Sequence, residues 1–68
     1  MDRGTEEALK AIITGLAEAQ TEGGDVVEAI GRSLAASSYA CGDAGDPFTA
    51  GELARLARWT GAKAVAPV

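Results

Sequence analysis

Few residues in this chain have the chemistry to act. They are Cys41, the carboxylates Asp43 and Asp46 with Glu52 beyond them, and the aromatic and cationic group Trp59, Arg55 and Arg58. A cysteine nucleophile works as the thiolate and usually relies on a neighbouring base. The chain contains no histidine, which removes the commonest base near neutral pH and the commonest metal ligand. Helical spacing places Cys41 on an apolar face, so it reads as a small buried hydrophobe. The carboxylates at 43, 46 and 52 lack the Asp-x-Asp-x-Asp-Gly order of a calcium loop, and Asp46 before Pro47 reads as a turn residue. The glycines sit at helix ends and turns, with no lysine-bearing phosphate loop among them. The expectation is a protein without catalytic residues, without a metal and without a cofactor.

Recognition chemistry is better represented. Trp59 lies beside Leu56 on the helical wheel, off the centre of the inward face and next to Arg55, with Arg58 close by. A border tryptophan flanked by arginines has the composition of an interface hot spot, and a guanidinium can stack on its ring. Tyr39 projects away from Ile30 and Leu34 and makes a weaker candidate of the same kind. Glu18 and Glu22, with Glu7, form an acidic stripe that can complement a basic protein surface. The candidate protein-binding residues are therefore Trp59, Arg55, Arg58, Tyr39, Glu18 and Glu22.

Three helices must position these groups. Thr5 before Glu6 and Glu7, Asp25 with Glu28, and Thr49 with Glu52 each read as a helix N-cap, the last two with capping-box spacing. They predict helices over about 6–22, 26–40 and 49–60, joined by a Gly23–Gly24 break and a turn-rich loop at 42–48, with an irregular tail at 62–68 through Val65 and Pro67. On the first helix Leu9, Ile12, Ile13, Leu16, Ala19 and Gln20 share one face, expected inward. Glu7, Ala11, Thr14, Glu18 and Glu22 lie opposite, and Glu6 is spaced to pair with Lys10. The second helix should turn Val27, Ile30, Leu34 and Cys41 inward. Its Gly31, Ala35 and Tyr39 side is smooth enough for another helix to approach. On the third helix Leu53, Leu56, Ala57 and Thr60 should face the core, with Phe48 stapled to Leu53 and Gly61 as the stop. The expected fold is an all-α three-helix bundle in a single small domain.

Sixty-eight residues give a limited core, and although 47% of them are hydrophobic, many of those are alanine. A bundle this small is a candidate for completion by oligomerisation. One cysteine excludes an internal disulfide, and no apolar run is long enough to cross a bilayer. These features lead us to expect a cytoplasmic protein with no membrane partner. The net charge of −4 is uneven. Residues 1–28 carry seven acids and two bases, and residues 29–68 carry three acids and four bases. An acidic half repels phosphate backbones, which disfavours nucleic acid as a partner.

The run Phe48-Thr49-Ala50-Gly51-Glu52-Leu53-Ala54-Arg55, followed by Thr60-Gly61-Ala62, resembles the first helix and turn of MerR-type helix-turn-helix regulators. It departs from that pattern in the extra residues between Ala54 and the turn. The resemblance implies a DNA-binding accessory with a turn near Gly61 and a recognition helix after it. The residues themselves point first to a small acidic interaction module that binds a partner protein and blocks or bridges it. A phage-encoded inhibitor of a bacterial defence complex, of the anti-CRISPR kind, is one alternative, and a self-assembling structural protein, a homo-oligomer, is another.

Overall fold

The computed structural model describes residues 1–64, with side chains through residue 61, and consists of three helices: α1 (Arg3–Glu22), α2 (Val26–Asp43) and α3 (Pro47–Ala64). There is no strand among the described residues, and the helices pack as the expected three-helix bundle. All three helices are longer than the sequence patterns suggest, because α1 and α3 start at earlier residues and α2 and α3 run on past their expected ends.

Asp2, rather than Thr5, caps α1: the Thr5 N–H donates to Asp2 Oδ1 at 2.8 Å, and the Glu6 N–H donates to the Asp2 carbonyl at 3.0 Å. Gly23, at φ 81°, ends α1 as expected, its N–H donating to the Ala19 carbonyl. Asp25 caps α2 through the Val27 and Glu28 amides. That helix continues past Ala40 and closes at Gly45, where φ is +85°. The Asp46 N–H donates to the Cys41 carbonyl at 2.9 Å and the Gly45 N–H to the Gly42 carbonyl at 3.0 Å, the paired bonds of a Schellman stop. The next helix begins at once. Asp46 Oδ1 accepts the Thr49 N–H at 3.1 Å and Pro47 occupies the first turn, so the cap is Asp46 and the expected 42–48 loop shrinks to residues 44–46. α3 then runs through Gly61 to Ala64 without the expected stop or turn. Val65 and Pro67 of the expected tail lie outside the described residues.

α2 is the central helix; α1 and α3 both pack mainly on it and touch each other far less. The α1–α2 seam is built from small residues. Ala8, Ala11, Gly15 and Ala19 of α1 are buried, and a Cβ on Gly15 would fall 2.6 Å from the Ile30 Cα. This closeness requires a glycine. The expected orientation of α1 is corrected accordingly. Ala11 is buried, whereas Leu9, Ile13 and Leu16 are 44%, 63% and 47% exposed. The α2–α3 seam holds the larger core residues, with Leu34, Cys41 and Leu53 buried and Ile30, Ala50 and Ala57 packed against them. Ser38 Oγ–H crosses this seam to the Ala50 carbonyl at 2.7 Å. Gly31 supports it too, lying against Thr60, so this part of the smooth α2 side is used within the chain. Val27 and Leu56, expected inward, remain partly exposed.

Candidate protein-binding face

Leu9 of α1 and Leu56 of α3 line one shallow groove with Gly4, Thr5, Ala8 and Glu52. The position of Gly4 against Glu52 and of Leu9 near Leu56 shows that α1 and α3 run in the same direction with these residues level. Helical spacing continues both edges. On α1, Leu9, Ile13 and Leu16 follow one another at intervals of four and three, with Gln20 next. On α3, Glu52, Leu56 and Trp59 do the same, and Phe48 lies one turn before Glu52. This alternation is the spacing of a helix-packing seam. Leu9 and Leu56 meet at the α1–α3 groove, Ile13 also borders an outer surface of α1 with Thr14, Ala17 and Glu18, and Leu9, Ile13, Leu16, Phe48, Leu56 and Trp59 are all exposed.

Small residues explain this arrangement. The alanine and glycine stripe of α1 lets that helix sit so close to α2 that the large aliphatic stripe beside it turns away from the core. Leu53 is fully enclosed in the core. Phe48 therefore does not staple to it, and instead lines a groove with Asp2, Arg3, Gly4, Thr49 and Glu52 at 75% exposure. The edges of the face carry opposite charges. Glu6 precedes Leu9 by three residues and Ile13 by seven, which puts it on the α1 edge. Arg55 precedes Trp59 by four, which puts it on the α3 edge.

The residues singled out from sequence occupy several surfaces. Trp59 and Arg55 belong to the α1–α3 face. Arg58 lines a different groove with Val27, Glu28, Gly31, Arg32, Ala35, Ala57 and Gly61. Tyr39 is exposed on α2. Glu18 lines the α1–α2 groove with Glu7, Lys10, Thr14, Arg32 and Ser33, and Glu22 lies further along α1. The acidic stripe is thus mixed with cations. Lys10 pairs with Glu7 at 3.0 Å, in place of the expected Glu6, and Arg32 pairs with Glu28 at 2.9 Å. The Glu7 carboxylate, hydrogen-bonded and opposite in charge, holds the Lys10 ammonium above its ordinary pKa. Sequence reasoning missed Leu9, Ile13, Leu16 and Phe48 as surface residues. The signal for the first three was the parallel Ala8, Ala11, Gly15, Ala19 stripe, an alternative packing face.

Cys41 is buried. Among the described residues no group of three histidine, cysteine or acidic side chains is arranged to hold a metal ion, and no helix is long and apolar enough to cross a membrane. No protein-family model matches the chain, and no curated protein or solved structure does either.

Proposed function

We propose that this protein is a non-catalytic association module that binds another protein surface through the α1–α3 face. The observation that carries this reading is the inversion of large and small residues. Alanine and glycine are the buried residues of α1, while six large apolar side chains on α1 and α3 remain exposed. Contiguous apolar surface of this kind marks interaction sites, and Trp59 beside Arg55 supplies the residue types that dominate binding energy. The single cysteine supports a cytoplasmic setting for this activity.

The test is site-specific photo-cross-linking from benzoylphenylalanine placed at Phe48, in a lysate of the source organism. One dominant adduct of defined mass is expected, either with this chain or with another protein. It should disappear when Ile13→Glu is added to a chain that circular dichroism shows to be helical. Absent or diffuse adducts, or an adduct indifferent to Ile13→Glu, would overturn the reading.

A further inference from the structure

We infer that the occupant of the α1–α3 face is a second copy of this chain, so that two copies form a four-helix layer of α1, α3 and their counterparts. This rests on the proposed association face and names its partner.

The exposed apolar area is that of a dimer interface. Taking roughly 150 to 250 Å² for a fully exposed large apolar residue, the exposures of Leu9, Ile13, Leu16, Phe48, Leu56 and Trp59 amount to roughly 600 Å². A stable interface buries about 800 Å² per partner, a little over half of it apolar. The face alone therefore supplies the apolar share of a stable dimer.

The register of the two helices also suits self-pairing. The stripe Leu9, Ile13, Leu16 and Gln20 and the stripe Glu52, Leu56 and Trp59 share the three–four alternation of helix seams, and the large apolar members of both are exposed. Because α1 and α3 are parallel and level, a twofold axis along the helices lays α1 of one copy on α3 of the other in the same register. Such an isologous contact makes each pairing twice.

Charge favours the same pairing. The α1 edge carries Glu6 and the α3 edge carries Arg55, each exposed. The twofold that stacks α1 on α3 brings Glu6 of one copy toward Arg55 of the other, on both sides of the interface. The face is thus complementary to itself, although the whole chain is acidic.

Sedimentation equilibrium on the purified full chain across the micromolar range tests this directly. A mass of twice 6.8 kDa that falls on dilution is expected. Glu6→Arg and Arg55→Glu should each weaken the dimer by about tenfold, and the double exchange should restore it. These exposed substitutions leave the core untouched, and circular dichroism verifies each fold. A monomer at every concentration would overturn self-pairing, as would a double variant no tighter than the singles. If that monomer still gives a single heterologous adduct from position 48, only the identity of the partner fails. If it gives none, the association reading fails with it.

Discussion

The Asp46 carboxylate accepts the Thr49 N–H through Oδ1, its other oxygen lies 3.4 Å from Arg3 Nε, and its own N–H closes the Schellman stop of α2. One residue thereby ends one helix, starts the next and draws the α1 N-terminus to the corner. Its hydrogen bonds from the Thr49 side chain and backbone hold the carboxyl below its ordinary pKa, with Arg3 adding to them. Asp2 is lowered in the same direction by its bonds from Thr5. A carboxylate lowered on folding stabilises above its unfolded pKa, and that stabilisation is lost as pH falls through the lowered folded value. The melting temperature should therefore drop as the solution is acidified through and below the ordinary carboxylate value of 3.8. Asp46→Asn, which keeps an acceptor, should melt close to wild type at neutral pH and show a shallower acid decline, while Asp46→Ala should melt lower at neutral pH. Melting curves followed by circular dichroism check the order. The signal for this cap was present in sequence as an aspartate directly before a proline at the first helical position. It competed with the Thr49–Glu52 capping box, and the Schellman geometry at Gly45 decides between them by presenting Asp46 to the new helix.

At the scale of the helices, the number and order of elements follow from local chemistry alone, since caps, glycine stops and apolar periodicity are short-range. The face that α1 turns inward does not. Hydrophobic periodicity marks Leu9, Ile12, Ile13, Leu16 and Ala19; Ala19 is buried as expected, but Ala8, Ala11 and Gly15 are buried with it in place of Leu9, Ile13 and Leu16, because close backbone approach at Gly15 and Ile30 is a tertiary gain. The same limit applies to the candidate site: Trp59 and Arg55 of the proposed face stand out in the sequence, and its aliphatic half does not. α3 supplies a test at this scale. Gly51 and Gly61 both lie within the helix, neither has positive φ, and a Cβ at either would meet nothing within 4 Å. Each Gly→Ala exchange should therefore stabilise the protein by about 0.5 to 1 kcal/mol, measured by urea unfolding. A helix-turn-helix break at Gly61 would instead make Gly61→Ala neutral or destabilising, so this one substitution separates the continuous helix from the regulator-like turn.

At the scale of the whole molecule, the buried large side chains among the described residues are few. Leu53 and Leu34 are enclosed, Ile30 is partly so, and most of the remaining core is alanine, threonine, serine and cysteine. A chain of 68 residues that leaves six large apolar groups of α1 and α3 exposed gains little from folding alone, and gains much more if they are covered as folding proceeds. Folding and pairing are then linked by mass action. With about 0.7 kcal/mol of unfolding enthalpy per residue, two copies absorb about 95 kcal/mol on unfolding together, and the midpoint of such a transition rises by about 5 °C for each tenfold increase in concentration. Differential scanning calorimetry over a hundredfold range should show that shift, with a calorimetric enthalpy referring to two chains per cooperative unit. Ile13→Glu should flatten the dependence, because a charge at the centre of the contact is costly to bury without a partner. A midpoint independent of concentration in the wild-type chain would mean that the alanine-rich bundle is sufficient by itself, and the dimer would then have no part in its stability.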